Sequence, residues 1–154
     1  MTKILIVCKA WPELSQTYIR NEVRSLLEAG LNVAVLARRG ALVPASDAPD
    51  VPFAVSADRE EQLAFVARFA PDWVHAHYLT MAPLAAAAAG HAGTRFSVRT
   101  HSFDVLGLRR FRFPSPGWFR ARLQQGHVGK YRKLSSASQA LRDPACAGAF
   151  CFPF

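Results

Sequence analysis

The chain of 154 residues is 51% hydrophobic and only 19% charged, which suits a single globular domain over residues 1–154 and excludes a disordered chain. Its three cysteines match neither a disulfide framework nor a zinc knuckle, and no apolar run reaches the ~20 residues of a membrane-spanning helix, so a cytoplasmic location is expected. The formal net charge of +8 favours anionic partners.

The first half of the chain alternates between strand and helix patterns. A continuous apolar run over residues 4–8 predicts a buried parallel strand. Apolar residues at three- and four-residue spacing predict a helix over 16–29, which Gly30 ends. A second strand is predicted over 32–37 and a short third strand over 51–55. Asp58, followed three residues later by Glu61, predicts a capping box for a helix that reaches residue 69.

The alternation continues with a strand over 73–77, a helix over 79–89 and a strand over 95–100. Further along, a helix is expected around 118–125, a strand over 134–137 and a helical turn over 138–142. Strands that alternate with helices at this spacing form right-handed crossovers in a parallel sheet. We therefore predict an α/β fold, a Rossmann-like and mostly parallel sheet with helices on both faces.

The positive charge is concentrated in a basic region over residues 105–142. Between residues 109 and 142 there are nine Lys and Arg residues and no acidic residue. Such a segment attracts phosphates or the anionic head groups of a membrane surface. The alternative is a solvated surface whose acidic partners lie elsewhere in the fold.

Polar side chains follow three of the predicted strands, at the carboxyl ends where parallel sheets bind ligands. These side chains are Ser15, Thr17, His77, Thr100, His101 and Asp104. The loop after the first strand contains no glycine, so it cannot close around a pyrophosphate as dinucleotide-binding and Walker A loops do. This domain is therefore not expected to be the main holder of a nucleotide.

Four segments, in order along the chain, resemble motifs of the family-4 glycosyltransferases. Residues 11–22 (WPELSQTYIRNE) are similar to the N-terminal motif, with its aromatic-Pro pair and Asn-Glu. Residues 75–78 (HAHY) match the His-x-His-aromatic strand end, and residues 99–104 (RTHSFD) match the Thr-His-x-x-Asp turn. Residues 135–143 resemble the Ser-containing strand and the helix that follows it. The most similar branch contains bacterial enzymes that build polysaccharides.

The resemblance implies the N-terminal, acceptor-side half of a GT-B fold. Members transfer a sugar with retention, from a nucleotide-sugar to a glycan or lipid-linked acceptor, without a cofactor or a bound metal. His101 would be the catalytic residue, donating a hydrogen bond to the donor sugar or the departing phosphate. Ser15 and Thr17 would lie near the phosphate or acceptor, and Asp104 would orient His101.

The remaining candidate residues of the resemblance are His77 and Thr100, which would bind substrate. Structural roles compete with several of these assignments. Ser15 and Thr17 are also suited to cap the helix that follows them. His75 and His77 share a strand face and could begin a metal site, but no third ligand is evident, so no metal is expected. Glu22 falls inside the first predicted helix and is given a structural role.

A complete GT-B enzyme needs a second, donor-binding domain, and the chain ends in an apolar segment at Phe154. We therefore expect a truncated enzyme that is inactive alone. The alternatives are the acceptor subunit of a split glycosyltransferase with a separate donor-domain partner, or a non-catalytic basic α/β module that binds anionic lipid or nucleic acid. On the preferred interpretation, no nucleic-acid partner is expected. Peripheral contact with the inner face of the membrane is expected instead.

Overall fold

The computed structural model describes residues 1–101 and 135–151 of the chain. Strands and helices follow one another in the order β1 (Lys3–Trp11), α1 (Thr17–Glu28), β2 (Asn32–Gly40), β3 (Phe53–Val55), α2 (Arg59–Phe69), β4 (Trp73–His77), α3 (Ala82–Ala92), β5 (Arg95–Thr100) and β6 (Cys146–Cys151). A 3-10 turn over Leu79–Met81 leads into α3, and residues 135–140 are helical.

The strands form one six-stranded sheet in the order β3-β2-β1-β4-β5-β6, and neighbouring strands are parallel throughout. The prediction of a Rossmann-like α/β fold is therefore confirmed. The sheet grows to one side from β1 to β3 and to the other side from β4 to β6. A crevice at the carboxyl ends of β1 and β4 is where such a topology binds ligands.

Two apolar layers cover the sheet because successive strand residues point to opposite faces. Leu5 and Val7 of β1 pack in the layer that includes α2 and α3. Ile6 of β1 packs on the other face with Ile19 and Val23 of α1, and all three side chains are fully buried. Burial of each such side chain contributes about 1.5–3 kcal/mol, so α1 is fixed firmly above β1 and β2.

Local signals set the ends of several elements. Gly30 adopts a φ of 78°, the left-handed conformation predicted for the residue that follows α1. The Asp58 carboxylate caps α2 by accepting hydrogen bonds from the amides of Glu60 at 2.9 Å and Glu61 at 3.0 Å. The Glu61 side chain instead accepts a hydrogen bond from the Ser56 hydroxyl at 2.6 Å, so the predicted reciprocal capping box is only half formed.

The last described elements differ from the prediction. Residues 135–140 form helix where a strand was expected over 134–137. Ala137 and Ala140 are buried at a spacing of three, which is a helical and not a strand period. The strand that follows this helix is β6, in which Ala149 pairs with Val98 of β5. No strand was predicted at the apolar end of the chain, because its Ala and Gly residues carry a weak strand signal.

The expected helix over 118–125 and most of the basic region 105–142 lie outside the described residues. Arg142, which belongs to that region, is described and exposed to solvent. Among the helices of the described ranges, none combines the length and the apolar character that a bilayer crossing requires.

Candidate functional site

A group of polar side chains lies on the sheet face that α1 covers. His75 and His77 of β4 share this face because they are two residues apart. In the parallel register His75 pairs with Ser97 and His77 with Arg99, so the two β5 side chains lie beside the histidines. We call His75, His77, Ser97, Arg99 and the Glu22 carboxylate above them the Glu22 network.

Glu22 is the centre of this network. Its carboxylate lies 3.3 Å from Nε2 of His75 and 3.6 Å from Nε2 of His77, and it accepts a hydrogen bond from the Arg99 guanidinium. Burial raises the pKa of Glu22, but hydrogen bonds and charge from His77, His75 and Arg99 outweigh burial and lower it to about 2. The carboxylate is therefore ionised at neutral pH and holds three strand side chains together.

His75 belongs to a directed chain of hydrogen bonds. The Trp73 indole N–H donates to Ser97 Oγ at 2.9 Å, and Ser97 Oγ lies 2.7 Å from Nδ1 of His75. Burial lowers the pKa of His75 to about 4 against the opposing attraction of Glu22, so the ring is neutral. Because the carboxylate can only accept, Nε2 carries the proton and Nδ1 accepts from the Ser97 hydroxyl.

His101 lies at the end of β5 in a cage of rings. Its Nε2 is 3.5 Å from Nδ1 of His77, and the two imidazoles are stacked at an angle of 25°. The Tyr78 ring is centred 4.5 Å from that of His101 and the Tyr18 ring 4.6 Å from it. The two tyrosine hydroxyls are hydrogen-bonded to each other. Three elements, α1, β4 and β5, thus converge on this imidazole.

Tyr78 reaches the cage through a strained backbone. Its φ of 74° is uncommon for a residue with a side chain, and such a conformation costs on the order of 1–3 kcal/mol. The peptide is held by a hydrogen bond from the Tyr78 amide to the Arg99 carbonyl at 2.9 Å. The surrounding structure maintains this strain at the end of β4, beside the ring cage. Tyr78 is therefore a candidate functional residue.

The loop between β1 and α1 is held by buried charges. The Arg20 guanidinium, 3% exposed, donates to the carbonyls of Glu13 at 2.7 Å and Leu14 at 2.9 Å. The Glu13 carboxylate accepts hydrogen bonds from the amides of Leu42 at 3.1 Å and Val43 at 3.2 Å. These bonds use side chains to fix a loop that contains no glycine.

Three potential metal ligands occur together in the Glu22 network. One ligand atom each from Glu22, His75 and His77 lie within 4.8 Å of one another, so Glu22 supplies the third group that the sequence pattern did not reveal. A zinc ion would bind imidazole nitrogens only as lone pairs. Nε2 of His75 carries a proton toward Glu22 and Arg99 binds the same carboxylate, whereas Nε2 of His77 is buried without a hydrogen-bond partner among the described residues.

The predicted site residues are placed in different surroundings. His77 and His101 are in contact, as expected from their strand ends. Thr100 is buried on the opposite face, where its hydroxyl donates to the Phe150 carbonyl at 3.2 Å. Ser15 and Thr17 are exposed beside the start of α1, and neither side chain caps it.

Asp104 lies outside the described residues. The position that caps α1 belongs instead to Gln16, which makes no side-chain capping bond.

Three side chains of this region, Tyr18, Tyr78 and Arg99, were not among the predicted site residues, and Glu22 was assigned only a structural role. One available signal was the spacing of Tyr18 and Glu22, which are four residues apart and therefore share a helix face. Arg99 similarly lies two residues from His101 on the same strand face. A comparison with protein-family models found no match to this chain, and neither did a comparison with curated proteins.

Proposed function

We propose that this chain is the N-terminal, acceptor-side domain of a retaining glycosyltransferase of the GT-B fold. It would help to transfer a sugar from a nucleotide-sugar to a glycan or lipid-linked acceptor in bacterial polysaccharide synthesis, in the cytoplasm at the inner face of the membrane. The observation that carries the proposal is the convergence of Tyr18, His77 and Tyr78 on His101. This cage lies at the edge of the sheet where parallel α/β proteins bind ligands.

His101 would supply the hydrogen bond that stabilises charge on the departing phosphate or on the donor sugar. His77 fixes the orientation of that imidazole from below, and Glu22 lies 3.6 Å from the other nitrogen of His77. Glu22 and His77 would thus help to hold the His101 ring in one orientation as negative charge develops on the substrate.

The tyrosines would serve binding more than proton transfer. Burial and the contact with Tyr78 raise the pKa of Tyr18, so its hydroxyl stays protonated and remains a donor. Aromatic rings beside a polar group form the kind of surface on which sugar rings pack through their apolar C–H faces. The cage therefore combines a stacking surface with a charge-stabilising imidazole.

Histidine-labelled NMR tests the proposal on the chain as it exists. Imidazole spectra would be recorded with UDP-glucose, GDP-mannose and dTDP-rhamnose as probes. We expect at least one probe to shift the His101 signal progressively. The affinity should be weak, because family members hold the donor mainly in the C-terminal domain.

The control is His91, which is exposed at the end of α3. His101→Asn should weaken binding of the active probe about tenfold, the loss expected for one hydrogen bond to a charged group, whereas His91→Asn should leave it unchanged. If no nucleotide-sugar shifts the His101 signal, or if His91 responds as strongly as His101, the proposed function is wrong.

A further inference from the structure

A cavity of about 350 Å³ opens between the end of β2 and the first turns of α2 and α3. Its lining includes Arg38 from β2, Arg59 from α2 and Thr80 from the turn before α3. Its volume falls within the range of about 300–1,000 Å³ that is typical of small-molecule sites. The elements that enclose it differ from those of the His101 cage, so it is a separate site.

Both arginines of this cavity lack an anionic partner among the described residues, although four other arginines of the chain, at positions 20, 24, 39 and 99, form ion pairs. The described lining of the cavity contains no carboxylate. Two neighbouring carboxylates are engaged elsewhere, since Asp58 caps α2 and Glu61 binds the Ser56 hydroxyl. Arg38 and Arg59 therefore give the cavity a positive potential that attracts an anion.

The other lining residues define the rest of the ligand. Met81, Pro83 and Leu84 supply an apolar part of the lining. A free inorganic ion would leave this part in contact with water, whereas an organic phosphate would cover it. Guanidinium groups bind phosphate oxygens through paired N–H donors.

From this combination we infer that the cavity binds a small phosphate ester, with the phosphate on Arg38 and Arg59 and the organic part against Met81 and Leu84. The inference does not depend on the proposed function, because neither arginine contributes to the His101 cage. If sugar transfer also holds, the cavity is the place for a phosphate carried by the acceptor.

Isothermal titration of the full chain with phenyl phosphate tests the inference, with inorganic phosphate at the same ionic strength as the comparison. We expect phenyl phosphate to bind more tightly than inorganic phosphate. The variant Arg38→Ala/Arg59→Ala should weaken its binding at least about tenfold for each arginine removed, as expected for hydrogen bonds to charged groups. Because the basic region is unchanged in this variant, the loss can be assigned to the cavity.

The matched control is Arg68→Ala/Arg95→Ala, which removes the same charge from two other exposed positions and should change the affinity by no more than about twofold. The inference is overturned if the native chain does not bind phenyl phosphate, or if both double variants weaken binding equally. Should the cavity variant fail to fold, Arg59→Ala alone replaces it, with an expected loss of about tenfold against Arg95→Ala.

Discussion

Replacing Glu22 with glutamine should destabilise the fold, because the carboxylate lies at the centre of the Glu22 network. The substitution keeps the shape of the side chain and removes its charge beside Arg99, His75 and His77. A pKa that falls from 4.5 to about 2 corresponds to about 3 kcal/mol, at 1.36 kcal/mol for each pKa unit. Because 22% of the side chain remains exposed, solvent screening reduces this contribution, and we expect a loss of about 1–2 kcal/mol at pH 7.

The stability that Glu22→Gln loses should depend on pH in a defined direction. The native protein holds Glu22 ionised to a lower pH than the unfolded chain, so the stabilisation is complete above the unfolded pKa near 4.5. It disappears as the pH falls toward the native pKa of about 2. The free energies of unfolding of the native sequence and of Glu22→Gln should therefore differ most at neutral pH and converge in acid.

Urea denaturation followed by circular dichroism measures this difference, and thermal melting at pH 7 should show a midpoint lowered by about 2–8 °C. Glu28→Gln provides the control, because Glu28 is an exposed carboxylate on the same helix. If Glu22→Gln and Glu28→Gln have equal stability at pH 7, the Glu22 carboxylate does not hold the strands together and the reasoning is refuted.

Three further predictions concern His75, Cys8 and Asp58. Burial lowers the pKa of His75 from 6.5 to about 4, so stability should fall as the pH drops from 6.5 to about 4, and urea titrations of His75→Gln should lack this decline. Burial raises the pKa of Cys8 to about 12, so its thiol should not react in the folded protein. Cys8→Ala should therefore leave the number of thiols that react with Ellman's reagent unchanged. A reduced number would contradict a buried Cys8. Asp58→Ala should cost about 0.5–2 kcal/mol by removing the α2 cap, whereas Asp50→Ala in an exposed loop should cost less than about 0.5 kcal/mol in the same denaturation assay.

Much of the central sheet could be predicted because its strands contain β-branched or aromatic residues and alternate with helical patterns. The predicted bounds of β4 and β5 agree with the structure, and the contact between His77 and His101 follows from their position after neighbouring parallel strands. The strand β6 could not be predicted in the same way. Its Ala and Gly residues have little strand propensity, and it is stabilised by pairing with β5, about 50 residues earlier in the chain.

The role of Glu22 shows a different limit. Helical periodicity identifies the side of α1 that is buried, but it does not reveal which strand lies beneath each turn. Ile19 and Val23 are apolar and pack in the core, whereas Glu22 on the same helix contacts the histidines of β4. The tertiary contacts of Glu22 with β4 and β5 are seen only in the folded structure.

The residues of the Glu22 network should covary in related sequences. Its ion pair joins two stretches of chain, α1 and β5, and the loss of either Glu22 or Arg99 removes that pair. In diverging sequences, Glu22 and Arg99 should consequently be exchanged together or retained together, even though 77 positions separate them. Paired substitution of this kind would be detectable as covariation of the two positions, even where the variability of each position alone is ordinary.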